Sequence, residues 1–362
     1  MTTNGPLRSR IEHALCLETL EHEKGTHVYV NVNPPWNPSW GRGLYGGAII
    51  AQSLGASQAT LDSTFDAHSF HGTFLLPARV GSNLTYYVEC ARDGKSFATR
   101  IVRAKQNDKY IFTATIGFSR PSQSVTQIRH GPEMPWAAQP PPEILNDTEL
   151  LSASTEVGEG RSCDFIRIGS VQNGPPHQRK LQHWMRARGP ITSTPIHNDI
   201  GSLSSNVAPL SRNYQTHTAA LAYMTDNYFI GTAVRTHNAR RFTDNWTVQR
   251  AMDQFEGSEE EKRMKLKCFE ALQREEDDEN KDALPQGLHV DMMVSLDHTI
   301  YFHNPRQFCA DDWMLVEMES PWADHERGLV TQRIWTKDGI LVATCIQEGV
   351  IRLKQTVGPS HL

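Results

Sequence analysis

The chain has 362 residues, of which 38% are hydrophobic and 21% are charged, a balance typical of a soluble globular protein with two domains or one duplicated unit. Its net charge of -5 at pH 7 gives no electrostatic reason to expect a nucleic-acid partner. No apolar run reaches the roughly 18 residues of a membrane span, and the N-terminal MTTNGPLRSR lacks the apolar core of a secretory signal.

The first half of the chain opens on an alternating segment, THVYVNV, which predicts a strand at 26–32. Gly46-Gly47 then begins AIIAQSLGASQATL, whose composition predicts a helix and whose lack of charge predicts burial on most sides. The run HSFHGTFLLP predicts a strand that stops at Pro77. Three further alternating runs, separated by Asp-Gly and Asn-Asp turn signals, predict an antiparallel meander.

The second half, residues 180–352, repeats this order. RKLQHWMRA predicts a strand, YQTHTAALAYMTD a helix, and SLDHTIYFHNP a strand that stops at Pro305. Three more strands follow, with a hairpin signal at Asp338-Gly339. The two halves share the order of their elements, the proline that ends one strand and an Asp-Gly turn signal, which predicts an internal duplication. A long helix wrapped by a curved antiparallel sheet is the hotdog arrangement, so the predicted fold is α+β, a double hotdog of two tandem units.

The two units are assigned to residues 1–120 and 161–356. Residues 121–160 between them are rich in proline, which predicts a partly extended linker. A charged insertion at about 231–288 interrupts the second unit. Its composition favours a surface helix with a solvated acidic tail over the alternative, a lid on a ligand tunnel.

Three polar residues stand out in apolar surroundings. Asp226 follows LAYM near the end of a helix, where a buried carboxylate needs hydrogen bonds; the alternative is a solvated Asp at a frayed helix end. Ser295 lies in the strand MMVSLDH, although single hydroxyls in strands are usually incidental. Gln347, in ATCIQEGV, must be hydrogen-bonded in a network or lie at a cavity.

Other chemistries find less support in the sequence. Histidines near equivalent strands of the two halves raise the alternative of a metal site, but HxxH on a strand divides the rings between two faces, so structural roles are favoured: His68, His71, His298 and His303. The six cysteines are scattered without ligand spacing, as expected for free thiols in a reducing compartment. GxSxG, P-loop and dinucleotide fingerprints are absent, so no metal and no cofactor are expected.

Taken together, the segments GLYGG, HSFHGTFLLP, RDGKSFATRIVRAKQ, SLDHTIYFHNP and RGLVTQRIWTKDGILVATCIQEGVIR resemble the acyl-CoA thioesterase II (TesB-like) family, double-hotdog enzymes with a peroxisomal branch. The resemblance implies hydrolysis of acyl-CoA to free fatty acid and CoA. It also implies an Asp–Thr/Ser–Gln triad, which falls on Asp226, Ser295 and Gln347. The chain departs from the family where GGQ is common, because Gly46-Gly47 is followed by Ala48, and in the insertion between Asp226 and Ser295.

The resemblance further implies a mechanism without a covalent intermediate. The triad Asp is expected to orient a water and act as general base, while the Ser and Gln side chains hold that water. Backbone N–H groups at a helix N-terminus are expected to polarise the thioester carbonyl. Gly46, Gly47 and His71 are the expected substrate-binding residues.

Two rival functions follow from the same fold. A hotdog enoyl-CoA hydratase or dehydratase needs an Asp-and-His acid/base pair on the helix, and MTDNYF has no such His. A non-catalytic acyl-CoA-binding protein does not need the triad of Asp226, Ser295 and Gln347, so the triad argues against it.

Residues 357–362 are assigned to a tail, and its last three residues, Ser360-His361-Leu362, are similar to the Ser-Lys-Leu signal read by the peroxisomal import receptor. A peroxisomal location is therefore expected, and a cytoplasmic one otherwise. A homo-oligomer is also expected, because hotdog sheets commonly pair edge to edge.

Overall fold

The computed structural model describes residues 9–23, 26–38, 43–121, 124, 126–135, 162–171, 174–192, 214–241, 248–249, 252–253, 255, 258–279 and 288–354. Five α-helices lie within these residues: α1 (Arg10–Leu15), α2 (Gly46–Gln58), α3 (Tyr214–Met224), α4 (Gly231–Arg235) and α5 (Glu259–Glu279); a 3-10 helix spans Pro176–Gln178. The strands of the same residues are β1 (Leu17–Glu23), β2 (Thr26–Asn31), β3 (Asp66–Phe74), β4 (Thr85–Asp93), β5 (Phe97–Gln106), β6 (Lys109–Ser119), β7 (Cys163–Val171), β8 (Lys180–Ala187), β9 (Val290–Ser295), β10 (Asp297–Phe302), β11 (Met314–Asp324), β12 (Arg327–Thr336) and β13 (Leu341–Leu353).

All of these strands belong to one antiparallel sheet with the order β1-β2-β4-β5-β6-β3-β10-β13-β12-β11-β8-β7, and β9 pairs with β13 beside this path. The first half of the chain supplies β1–β6 and the second half supplies β7–β13. The two half-sheets join where β3 pairs with β10. The predicted α+β double hotdog is confirmed. Its sheets already pair edge to edge inside one chain, and a homo-oligomer stays a prediction.

The register between β3 and β10 shows the duplication directly. When HSFHGTFLLP is matched to LDHTIYFHNP at their terminal prolines, His71 corresponds to Thr299. These two residues face each other across the strand pair, and the pairs on either side, Ser69 with Tyr301 and Thr73 with Asp297, are related by the same exchange. The two units are therefore arranged about a local two-fold axis that passes through this pair.

Helices α2 and α3 pack against each other inside the curved sheet. Every residue of α2 after Gly46 is buried, as its charge-poor sequence predicts. The two helices come closest at Gly47, where an added Cβ would lie 2.3 Å from the Tyr223 carbonyl oxygen. The Tyr45 hydroxyl donates to the same oxygen at 2.8 Å. The start of α2 is thereby fixed against the end of α3.

The structure contains elements that the sequence did not predict, namely α1, β1, β7 and α4. The single strand predicted through SLDHTIYFHNP is interrupted at Leu296, so that β9 and β10 are separate. The Leu296 N–H donates to the Glu348 carbonyl at 2.8 Å and its carbonyl accepts from Phe74 at 2.9 Å. The strand changes partners at this residue, which hydrophobic alternation alone does not reveal.

The predicted domain limits remain predictions, because most of the 121–160 linker and the whole 357–362 tail lie outside the described residues. Within the insertion, the predicted charged helix is α5. Over the residues that the structure describes, no helix is both long enough and apolar enough to span a membrane.

Candidate active site

Asp226 lies two residues beyond the end of α3 and faces the beginning of α2. Its side chain is 10% exposed. The Gly47 N–H donates to its carboxylate, and a Cβ added to Gly46 would lie 2.7 Å from Asp226 Oδ2. The carboxylate therefore approaches the positive end of the α2 dipole, and only a residue without a side chain fits between them.

Gln347, on β13, is the second member of the predicted triad and is completely buried. Its Nε2 donates to Asp226 Oδ1 at 2.8 Å. The same nitrogen donates to Nδ1 of His298, on β10, at 3.0 Å. Gln347 Oε1 is also buried, and it accepts no hydrogen bond from the described residues. Because buried amide oxygens are normally paired, this atom points to a ligand or a water.

His298 is held in one tautomer by the residue that precedes Asp226. The Thr225 hydroxyl donates its single proton to the Ala222 carbonyl at 2.9 Å, so it can only accept from His298 Nε2, also at 2.9 Å. His298 Nδ1 is consequently the unprotonated acceptor for Gln347. Burial lowers the pKa of His298 to about 3, so the ring is neutral. Gln332 completes the arrangement by donating to the Thr225 carbonyl at 2.7 Å.

The electrostatics of the site prepare Asp226 for proton transfer near neutral pH. Burial raises the pKa of Asp226 to about 6, while the hydrogen bonds from Gln347 and Gly47 lower it in part. His298 Nδ1 lies 3.8 Å from Asp226 Oδ1, but the neutral ring adds no charge. A carboxylate with a pKa near the working pH is suited to general base catalysis.

Ser295, the third predicted member, ends β9 opposite Gly349 of β13. It is half-buried and lines the same cavity as Asp226. Among the described residues, no hydrogen bond joins the Ser295 hydroxyl to Asp226 or Gln347. The structure therefore brings Asp226 and Gln347 into direct contact and places Ser295 in the lining of the same cavity as Asp226.

The cavity has a volume of about 560 Å³ and runs between the two units. Its walls are largely apolar: Trp36, Tyr45, Phe74, Phe229, Ile230 and Met293. Two guanidinium groups of the lining, Arg167 and Arg235, lie 4.7 and 5.3 Å from the ring centroid of Tyr228. A mostly apolar cavity with a few polar groups is the usual form of a small-molecule site.

The insertion takes part in the cavity wall. Leu272 and Glu276, one turn apart on α5, both line it. The Glu276 carboxylate accepts the Arg241 N–H at 2.9 and 3.1 Å, which ties the helix to the chain segment that follows α4. Helix α5 is thus more than the solvated surface helix that its composition favours.

Gly46 and Gly47 lie at the site, but the structure does not bring His71 to it. His71 is exposed on the face of β3 opposite the buried Phe70. Its ring contacts Tyr301 with centroids 5.5 Å apart, and its Nδ1 lies 3.4 Å from Thr299 Oγ1. These contacts leave His71 on the outer face of the sheet, outside the cavity lining.

Elsewhere in the described residues, His217, Cys309 and Asp311 lie close enough together to hold a metal ion. His217 Nδ1, however, already accepts the Ala310 N–H at 3.0 Å. This cluster gives no observation that favours a metal over an ordinary buried hydrogen bond.

Thr225 and Gln332 were not predicted to belong to the site, and His298 was predicted only to have a structural role. A signal for His298 was present, because His298, Ile300 and Phe302 alternate with more exposed residues along β10 and are all buried. A polar residue in such a series needs a partner, and a neighbouring strand must supply it.

Comparisons with known proteins agree with this geometry. Two family models match: an acyl-CoA thioesterase N-terminal domain over residues 33–119, and an acyl-CoA thioesterase C-terminal domain over residues 132–351. The chain is 31% identical to acyl-coenzyme A thioesterase 8 of Mus musculus, over 99% of this chain and 94% of that protein. It is 24% identical to peroxisomal acyl-coenzyme A thioester hydrolase 1 of Saccharomyces cerevisiae, over 88% of each.

A solved structure gives the same result. Acyl-CoA thioesterase II TesB2 from Mycobacterium marinum superposes with a TM-score of 0.61 at 26% identity, over 96% of this chain and 99% of that one. The family models, the relatives and the fold confirm the resemblance seen in the sequence motifs. The chain belongs to the acyl-CoA thioesterase family and is a thioester hydrolase with the double-hotdog fold.

Proposed function

We propose that the chain hydrolyses acyl-CoA to a free fatty acid and CoA through a water molecule activated by Asp226. The observation that carries the proposal is the Asp226 carboxylate itself, with a pKa of about 6, held at the wall of an apolar cavity by Gln347 and the Gly47 N–H. Acyl-CoA offers an apolar chain for such a cavity and an electrophilic thioester for such a base.

In the proposed reaction, the water donates one hydrogen to Asp226 and the other to Gln347 Oε1, the buried acceptor without a partner among the described residues. The Ser295 hydroxyl donates to the water oxygen. As the oxygen attacks the thioester carbon, its proton passes to Asp226 and the carbonyl oxygen becomes an oxyanion.

The oxyanion is stabilised at the beginning of α2. The first N–H groups of a helix have no intrahelical partner, and Gly46, the first residue of α2, lines the cavity. When the carbonyl re-forms, the C–S bond breaks and the thiolate of CoA takes the proton from Asp226. The products are the fatty acid and CoA, and the enzyme returns to its initial protonation state.

The test is release of free thiol from acyl-CoAs of increasing chain length by the wild type and by Asp226→Asn. Loss of a general base lowers turnover by about 10² or more, so the variant is expected to lose at least that factor. Asp297→Asn is the matched control: that carboxylate accepts the Glu348 N–H at 2.8 Å, which an Asn oxygen also accepts. Normal turnover by Asp226→Asn would remove Asp226 from the mechanism. Tight binding of acyl-CoA without thiol release by the wild type would instead indicate a binding protein.

We also propose a peroxisomal location, supported by the name of the yeast relative and by the sequence of Ser360-His361-Leu362. These three residues lie outside the described part of the chain. A fluorescent protein fused before residue 1, leaving Leu362 as the terminus, is expected to enter peroxisomes, and removal of the tripeptide is expected to leave it in the cytosol. Equal distribution of the two fusions would contradict the signal.

A further inference from the structure

The amide of Gln347 has two hydrogen-bonding roles in the site, one as a donor through Nε2 and one as an acceptor through Oε1, and both depend on its orientation. Its Nε2 must point to Asp226 to donate to the carboxylate, which leaves Oε1 as an acceptor. Rotation of the amide by half a turn would bring Oε1 against Asp226 Oδ1, two oxygens that repel each other when the carboxylate is ionised. A group that distinguishes the nitrogen from the oxygen therefore fixes the chemistry of the site.

His298 is that group. Its Nδ1, 3.0 Å from Gln347 Nε2, has no proton, because the ring proton is on Nε2 and is donated to Thr225. An unprotonated nitrogen accepts from an amide N–H2 and repels an amide oxygen. Hydrogen bonds are donated from Gln347 to His298, from His298 to Thr225, and from Thr225 to the Ala222 carbonyl. Because a carbonyl oxygen can only accept, the direction of this series is fixed.

The surroundings keep His298 in this state. The ring is completely buried, contacts Phe229 edge-on with centroids 5.6 Å apart, and is absent from the cavity lining. Asp226 Oδ1 lies 3.8 Å from its Nδ1, and Asp297, the carboxylate on its own strand, accepts the Glu348 N–H instead. Burial lowers the pKa of His298 to about 3, so it neither gains charge in the working pH range nor exchanges protons with substrate.

We propose that His298 is a positioning residue for the hydrolysis, which holds the Gln347 amide in the orientation required by Asp226 and the attacking water. This inference rests on the proposed function of Asp226. It assigns to the His of the SLDH segment a role that depends on an unprotonated Nδ1 and on the hydroxyl of Thr225, rather than on acid, base or metal chemistry.

Two substitutions separate this role from simple packing. His298→Phe removes the acceptor, and its size suits the site because Phe70 occupies the equivalent buried position of the first unit. His298→Asn is smaller, but its Oδ1 occupies the same place in the side chain as Nδ1 and still accepts from Gln347.

For His298→Phe we expect kcat to fall on the order of 10²-fold with KM nearly unchanged, since misorientation at the reacting centre affects the chemical step. The acid limb of the pH profile should also move up by about one pH unit, because the Gln347 hydrogen bond that lowers the pKa of Asp226 is weakened. His298→Asn should restore most of kcat and return the pH profile toward that of the wild type.

A normal kcat and pH profile for His298→Phe would overturn the inference, as would a His298→Asn enzyme no better than His298→Phe when both are folded. A readout independent of activity is the 15N NMR spectrum of the histidine-labelled enzyme. His298 is expected to remain the neutral Nε2–H tautomer from pH 5 to 8. A protonated ring or the other tautomer would contradict the positioning role of His298, whatever the activity of Asp226→Asn. Normal activity of Asp226→Asn would instead contradict the assignment of Asp226 as the base.

Discussion

Three buried positions of the sheet have opposite chemistry in the two hotdog units. In the second unit they hold polar side chains: His298, Gln332 and Gln347. In the first unit the equivalent positions hold apolar ones: Phe70, Val102 and Ile116. The equivalence follows from the strand register. Because His71 corresponds to Thr299, their partners Thr115 and Ile346 correspond, and so do the next residues, Ile116 and Gln347. In the same way Val102 corresponds to Gln332, because their partners Ala114 and Cys345 correspond.

The difference shows what a site requires beyond the fold. The apolar set needs only to fill space, whereas each buried polar group costs about 1–3 kcal/mol when it is left without a partner. In the second unit nearly every such atom is paired, from Gln332 through Thr225 and His298 to Gln347. The exception is Gln347 Oε1, which accepts no hydrogen bond from the described residues. The duplicated fold therefore carries one polar site, and its symmetry mate is part of the hydrophobic core.

The strongest test converts the second unit to the chemistry of the first. Gln347→Ile introduces the residue found at the equivalent position, Ile116, and removes both the donor to Asp226 and the acceptor for water. Loss of a preorganised hydrogen-bonding group costs on the order of 10²–10³ in kcat, so thiol release should fall by that factor. Gln332→Val copies Val102 in the same way but acts through the Thr225 carbonyl, so its loss should be smaller. Equal effects of the two would show that the network acts as a whole and that Gln347 has no special place in it.

The reverse exchange measures how much a buried polar side chain destabilises the first unit, where it has no hydrogen-bond partners. Ile116→Gln should destabilise the first unit by about 2–4 kcal/mol, because the amide is buried opposite Phe70. Ile116→Val, which keeps the site apolar, should cost about 1 kcal/mol. Denaturant unfolding of both variants gives the comparison. Equal stabilities would mean that the first unit still accommodates a polar side chain at this position.

The sequence was sufficient for the fold because the informative patterns are local. Alternating runs and turn signals predicted most strands, and the shared punctuation predicted the duplication that the pairing of His71 with Thr299 displays. Asp226 and Gln347 were found because each is polar in an apolar run, and the resemblance joined them. The hydrogen bonds between them required the register of distant strands, which one sequence does not contain.

The differences between prediction and structure have the same origin. His71 is the sixth residue of β3 and His298 the second residue of β10, yet His71 is exposed on the outer face and His298 is buried behind the site. The strand interruption at Leu296 also came from long-range hydrogen bonds rather than from its own residue type. Side-chain direction could be predicted from alternation, but only within a continuous strand.

The pH dependence of turnover tests whether Asp226 is the one titrating group of the polar site in the second unit. Because the pKa of Asp226 is about 6, kcat/KM should fall about tenfold per pH unit below that value as the base is protonated. His298, with a pKa of about 3, does not contribute to this limb. A thiol-release profile from pH 4.5 to 8 measures it. A flat profile over this range would show that a base with a much lower pKa is responsible.

The smallest expected effect concerns the part of the second unit that has no counterpart in the first. Leu272 on α5 is 3% exposed and lines the cavity, whereas Leu266 on the same helix is 41% exposed. If the acyl chain extends toward α5, Leu272→Ala lengthens its pocket and should favour longer acyl-CoAs by about fourfold in kcat/KM for each added methylene, while Leu266→Ala should keep the wild-type chain-length profile. The same profile for both variants would place the acyl chain at the other end of the cavity, near Trp36 and Leu76, and would leave α5 as a wall that the substrate does not reach.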